Sequence, residues 1–377
     1  MRDEFYIEEL EKYINKLEKH SHKSIINLSD WNPSSEFMNK LAINIPYTFS
    51  DNPISYIFSS DFDKKMGYNV LSKWGYTGRR KIVFFNTGSE SIVNTLYFLS
   101  HQKCKKIYLL CPTYFSVAPI CKALSLDCHR IFMDRKNKKY VIPDDFEERI
   151  DENCCLWITN PIYCTGTMYQ NTDIEKIKEI VFRKNLFIVT DESLCIRKFS
   201  LFKHFEEYDR YINIITPHKA VCTNALKFSG IVISPHYYDL VDSCSDLLEG
   251  CLSVSAKAAL YHFLSPKFDI YENSFNKYIE ENRKKVLSII SKYKIDCDMY
   301  SKGYLLSVYF RNIPYDFLDS MARMKKLIAH TNTYVITGSK NSFGTNEGLS
   351  FRINLCSVNN KYIYAFERTL LYLQKLL

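Results

Sequence analysis

Several absences narrow what this sequence can be. No apolar run is long enough to cross a bilayer, which excludes a helical membrane protein. No C-x-x-C pair occurs, and the 13 cysteines are odd in number and irregularly spaced. In a chain this long, that argues for reduced thiols rather than a disulfide framework or a zinc site. No G-x-G-x-x-G follows a β-branched run, which counts against a nicotinamide-dependent enzyme. Internal repeats, low-complexity tracts and long Pro/Gly/Ser linkers are also missing. The net charge of +8 comes from scattered lysines and not from one basic block. With no nucleic-acid-binding motif beside it, that charge reads as a solvated surface suited to anionic ligands. The N-terminal stretch "MRDEFYIEELEKYINKLEKH" lacks a signal-peptide core and reads as a charged amphipathic helix. A cytoplasmic protein with no membrane or nucleic-acid partner is the expectation.

A length of 377 residues is too great for one compact core and suits two domains. From residue 80 onward, short β-branched runs alternate with helix-length segments. "KIVFF" leads into "NTGSESIVNTLYFLSHQK", "KKIYLL" into "CPTYFSVAPICKALS", and "CCLWIT" into "NPIYCTG" and "DIEKIKEIVFRK". "LFIVT" then leads into "DESLC", and "INIIT" into "TPHKAVCTNALKFSG". Such alternation predicts a mostly parallel sheet covered by helices, with ligands at the carboxyl ends of the strands. After about residue 265 the pattern changes to long helices with the strands "GYLLSVYF", "TYVIT" and "LSFRINL". The expected architecture is α/β: a three-layer α/β/α large domain over 46–265 and a smaller α+β domain over 266–377. Residues 1–45 form an arm packing with the small domain.

The polar clusters fall where the predicted strands end. Gly88 with Ser89 in "NTGSES" exposes amides at a helix start, which suits a phosphate, or else the segment is an ordinary N-cap. Tyr114 in "CPTYF" offers a face to a planar ligand, or is one half-buried tyrosine among 28. In "TNPIYCTG", Asn160, Tyr163 and Thr165 offer hydrogen-bonding groups in a turn. Asp191 ends an apolar strand and needs a cationic partner, such as a protonated pyridine nitrogen, unless it caps the next element. Lys219 is a candidate Schiff-base lysine, with Lys227 and Thr216 as phosphate ligands; two solvent-facing lysines are the alternative. Arg352 in "LSFRINL" suits a substrate carboxylate or a structural ion pair.

In this order and spacing, the clusters resemble the class I/II aminotransferases, fold type I of the pyridoxal-phosphate enzymes. The resemblance runs from "INLSDWNP" near residue 26 to "FRINLC" at 356. It implies that Lys219 holds pyridoxal 5'-phosphate as a Schiff base, Asp191 pairs with the ring nitrogen, and Tyr114 stacks on the ring. Gly88, Ser89 and Glu90, with Thr216 and Lys227, would bind the phosphate, Lys227 standing where the family has an arginine. Asn160 and Tyr163 would line the ring. Arg352 with Trp31 would bind the substrate, and Tyr56 would reach the phosphate in the neighbouring subunit. A homodimer acting on an amino acid and a keto acid is implied.

Two departures stand out. The family's turn reads N-P-x-N-P-T-G, and its second Asn, which contacts the cofactor's phenolic oxygen, is here Tyr163. A tyrosine three residues after the Asp, aimed at the same oxygen, is here Leu194. Tyr163 is expected to replace the lost contact from the other side. His218, beside Lys219, is either a second acid/base group or packing. Decarboxylation, elimination or cyclisation on the same scaffold, and a non-catalytic ligand-binding protein, remain open beside transamination.

Overall fold

Seven strands build the central sheet: β1 Lys81–Phe85, β2 Lys106–Cys111, β3 Asp127–Phe132, β4 Cys155–Thr159, β5 Phe187–Glu192, β6 Tyr211–Ile215 and β7 Ser229–Ile233. The computed structural model describes residues 6–21, 24–41, 66–298 and 301–376. Across the sheet the order is β1-β7-β6-β5-β4-β2-β3, with β7 antiparallel to both of its neighbours and the other pairs parallel. Strands β4 and β6 are buried at every residue, as continuous apolar runs covered on both faces require.

Alternation along the strands divides the interior into two layers. Val83, Phe85, Trp157, Val189 and Ile212 point to one face, under helices α1 Gly88–His101 and α2 Pro235–Leu248. Ile82, Phe84, Leu156, Ile158 and Ile188 point to the other, where Ile174, Ile177 and Val181 of helix α3 Asn171–Arg183 lie. The expected α/β/α layering and mostly parallel sheet are borne out.

Strands β8 Asp296–Cys297, β9 Leu305–Phe310 and β10 Leu349–Asn354 form a separate antiparallel sheet. It is accompanied by helices α4 Pro266–Lys292, α5 Met321–Thr331 and α6 Asn360–Gln374. Near the chain start, Tyr6–Ser21 is helical and Ile26–Asn27 pairs in parallel with Thr333–Tyr334. The expected strand "TYVIT" thus shrinks to two residues, although Thr337 keeps a single bridge to Phe351.

Strands β3 and β7 escape the sequence pattern. "DCHRIF" is a mostly exposed edge strand whose polar side chains hide its pairing with β2, and "SGIVI" sits behind a serine and a glycine. No helix among the described residues is long and apolar enough to cross a membrane.

Arg135, on the hairpin Asp134–Lys136/Lys139–Val141, ties the two sheets together. Its guanidinium donates to Asp298 at 2.9 Å and Asp296 at 2.7 Å, lies 3.9 Å from Glu347, and stacks 3.6 Å over the Tyr309 ring. The acids outnumber this one buried cation. Burial accordingly pushes Asp298 up to about 6 and Glu347 up to about 7, against the pull of Arg135. The folded state therefore favours protonated Glu347, and that contribution is complete below the ordinary glutamate pKa and lost as pH rises through about 7. Urea denaturation at pH 5 and pH 8 should show wild-type stability falling with pH. Glu347→Gln should flatten that fall by on the order of 2–3 kcal/mol.

Candidate active site

Helix α1 begins where β1 ends, and its first turn is closed by a capping box. Thr87 Oγ1 accepts from the Glu90 amide at 3.2 Å, and Glu90 Oε2 accepts from the Thr87 amide at 2.9 Å. The N-cap reading of "NTGSES" is thus seen at Thr87. Glu90, expected to offer its amide to a phosphate, uses amide and carboxylate on Thr87 instead. The amides of Gly88 and Ser89, which have no partner within the helix, are left at its positive end. A Cβ built at Gly88 would lie 3.1 Å from both Ser193 Oγ and Thr216 Oγ1, so the bare glycine lets two hydroxyls close on this turn. Thr216 Oγ1 also bonds Ser229 Oγ at 3.1 Å. Amides, hydroxyls and helix end together fit a phosphate group.

At the end of β5, two consecutive carboxylates face opposite ways. Glu192 is fully buried and held by four donors: Asn160 Nδ2 at 2.9 Å, Asn213 Nδ2 at 3.0 Å, the Leu201 amide at 2.6 Å and the Ser200 hydroxyl. Asp191 accepts the Ser193 amide, at 3.1 Å, and makes no ion pair among the described residues. Burial raises its pKa, while Ser193 and Lys219 pull it back. A protonated ring nitrogen would satisfy it.

Asn160, expected at the cofactor, does not line the cavity. Its amide is committed to Glu192 and the Phe199 carbonyl, because a buried carboxylate without a cation needs every available donor. Tyr163 does line it. The Tyr163 ring stands edge-on to Tyr114 at 5.5 Å, and its buried hydroxyl has no hydrogen-bond partner.

The short helix Pro217–Ala220 follows β6 and carries Lys219, whose amine makes no hydrogen bond among the described residues. Its Nζ lies 5.1 Å from the centre of the Tyr114 ring and 5.6 Å from that of Trp31. Burial lowers its pKa, Asp191 and Cys164 oppose this, and Arg352 adds to it. A lysine so placed is a better nucleophile and base than a solvated one. His218 points elsewhere, into Phe228 and Phe268, and shares a 3.1 Å hydrogen bond with His262. Burial, then His262, lowers it to about 3, so it is packing and stays neutral. Lys227 donates to the Asn224 carbonyl, its pKa lowered by burial and by Lys219.

Arg352, on β10, is buried and meets no carboxylate among the described residues. Nε donates to the Ser29 carbonyl at 3.0 Å and Nη1 to Cys164 Sγ at 3.3 Å, while Nη2 has no partner. The guanidinium lies 3.8 Å from the centre of the Trp31 ring, so Trp31 is within reach of both cations of the site. Among the described residues, no carboxylate forms an ion pair with Arg352.

One cavity is lined by six residues expected from the sequence: Gly88, Ser89, Tyr114, Tyr163, Asp191 and Lys219. Ser193, Thr159 and Leu194 join them. Ser193 carries the signal of its position alone: the amide two residues past an aspartate is a usual donor to that carboxylate. Asn341, which accepts from Cys164 at 3.2 Å and from Arg352 at 3.5 Å, carried no signal because its role depends on distant partners. Tyr56 lies outside the described residues.

Comparison with known proteins bears on the fold. Residues 53–194 match the sequence family "Aminotransferase class I and II". A comparison with curated proteins gives no sequence match. Among solved structures, the multiple substrate aminotransferase from Thermococcus profundus is 15% identical with a TM-score of 0.75, covering 97% of this chain and 95% of that one. The kynurenine aminotransferase from Pyrococcus horikoshii is 12% identical with a TM-score of 0.76, covering 98% and 94%. Cystalysin from Treponema denticola, which contains a pyridoxal 5'-phosphate cofactor, is 16% identical with a TM-score of 0.73, covering 96% and 95%. At these identities the likeness establishes the fold. The chain carries the class I and II aminotransferase pattern across residues 53–194, and over nearly its whole length it has the fold of the solved aminotransferases.

Proposed function

We propose that this protein is a pyridoxal-phosphate-dependent aminotransferase acting on an amino acid through Lys219. The observation that carries the reading is the convergence of three charges, Asp191, Lys219 and Arg352, none with an ion-pair partner among the described residues. Bound pyridoxal 5'-phosphate supplies an aldehyde that links to amines and a protonated ring that stabilises the carbanion formed at an amino acid's Cα.

The chain's residues supply the rest. Gly88, Ser89, Thr216 and Lys227 hold the phosphate, Asp191 keeps the ring nitrogen protonated, and Tyr114 packs against the ring. Arg352 receives the α-carboxylate, with Trp31 covering it from water. That geometry aims the Cα proton at Nζ of Lys219, which takes it up and later releases it. An α-carboxylate held on Arg352 is kept through the reaction, which favours transamination over decarboxylation.

A homodimer is proposed on the exposed apolar side chains of neighbouring helices, Tyr68 on Tyr68–Trp74, Tyr261 on Val254–Leu264 and Ile270 on α4. A cytoplasmic location is proposed on thirteen free cysteines, most of them buried.

Amino acids added singly to the cofactor-loaded protein should yield the matching keto acid; release of carbon dioxide or ammonia in its place would redirect the assignment. Borohydride reduction should fix the cofactor on the wild-type chain, and Lys219→Ala should lose both that mass increase and turnover. Fixation at another lysine would overturn the role of Lys219. Tyr163, whose hydroxyl is free, is proposed to donate to the cofactor's phenolic oxygen where Leu194 cannot. Tyr163→Phe should shift the bound cofactor's absorbance and slow turnover about tenfold. If neither changes, Tyr163 does not make that contact.

A further inference from the structure

The turn after β4 places a thiol against the arginine of the site. Cys164 adopts φ +61, a left-handed conformation closed to proline and uncommon for a residue with a side chain. Several contacts hold it there. The Cys164 carbonyl accepts from Ser307 Oγ at 2.9 Å, and Thr165 closes the turn by donating to the Ile162 carbonyl. Gly166 follows with no room for a side chain, since a Cβ would sit 2.5 Å from the Lys302 carbonyl oxygen.

The thiol that results is fully buried and bonded on both sides. Arg352 Nη1 donates to Sγ at 3.3 Å, and the S–H donates to Asn341 Oδ1 at 3.2 Å. Asn341 is anchored in turn by donating to the Thr337 carbonyl at 2.9 Å. The guanidinium is therefore fixed at Nε by the Ser29 carbonyl and at Nη1 by Cys164, while Nη2 alone is unpartnered. All the groups that orient it are neutral.

We infer that Cys164 is the positioning residue for Arg352: its thiol fixes the Nη1 edge without cancelling the charge, so that Nη2 and the full positive charge are presented to a substrate monocarboxylate. A carboxylate at the same place would orient Arg352 equally well but neutralise it, and an apolar side chain would leave Nη1 only its longer bond to Asn341 Oδ1, at 3.5 Å. The inference rests on the proposed aminotransferase reading and deepens it, since it specifies how carboxylate recognition is built in this chain.

The cofactor-loaded protein is titrated calorimetrically with pyruvate and phenylpyruvate, and with the amides of both as carboxylate-free controls. Cys164→Ala should weaken keto-acid binding about tenfold and leave amide binding within about twofold. Cys164→Ser, which can still accept from Arg352 and donate to Asn341, should recover keto-acid affinity to within about threefold of wild type. Cys164→Asp should weaken it at least as much as alanine does. Wild-type affinity in Cys164→Ala, or a serine variant no better than alanine, overturns the positioning role. Arg352→Gln separates the two levels. If it binds keto acids as tightly as wild type, the proposed carboxylate site is itself wrong; if it alone loses binding, only the role of Cys164 falls.

Discussion

A charge buried in protein must be matched by an opposite charge or by enough hydrogen bonds, because removing it from water costs several kcal/mol. Two pairs of buried groups in this fold show how differently that demand is met. Arg135 and Arg352 are both buried arginines. The first meets Asp296, Asp298 and Glu347; the second meets neutral groups and leaves Nη2 open. Asp191 and Glu192 are adjacent on one strand. Glu192 is saturated by four donors, whereas Asp191 accepts from the Ser193 amide. In each pair the saturated member holds the architecture together, and the unsaturated one faces the site. Strand alternation explains the second pair directly, since consecutive side chains on β5 must point to opposite faces.

This contrast also marks how far the sequence could be read. Gly88, Tyr114, Tyr163, Asp191, Thr216 and Lys219 were legible because each follows a β-branched run or ends one, and a parallel sheet gathers such ends on one edge. Local chemistry was less legible. Glu90 belongs to a capping box, and nothing in "NTGSES" says whether its amide will serve the helix or a ligand. The donation of Asn160 Nδ2 to Glu192 has no local sequence signal, because it depends on Glu192 being buried without a cation. His218 could not be separated from Lys219 in role until the direction of the short helix was known. Cys164, Asn341 and Arg352 come together across 188 positions of sequence, and no spacing rule encodes that meeting.

The turn at 160–167 carries most of the departures from the family pattern, and they are physically connected. With Leu194 in place of a tyrosine, the cavity loses a hydroxyl on the β5 side, while Tyr163 brings one from the β4 side. A tyrosine is much larger than the asparagine it replaces, and its ring needs the space between Trp31 and Tyr114. The next residue then takes a positive φ, which proline cannot adopt. The positive φ at Cys164 thus leaves no place there for the proline of the family pattern.

The turn reaches the second sheet through backbone contacts. The Gly166 carbonyl accepts from the Lys302 amide at 2.6 Å, and Thr167 bridges to Ser301, so the segment leading into β9 is fixed to the turn. Strand β9 pairs with β10 in a register that sets Ser307 opposite Arg352, and Ser307 Oγ returns to the Cys164 carbonyl. The turn, β9 and β10 therefore close a loop of contacts around the guanidinium. A movement of one sheet relative to the other would have to break that loop or carry the turn with it. Because Tyr163 and Cys164 are consecutive in the turn, any such movement would shift the Tyr163 ring in the cavity and the thiol beside Arg352 together.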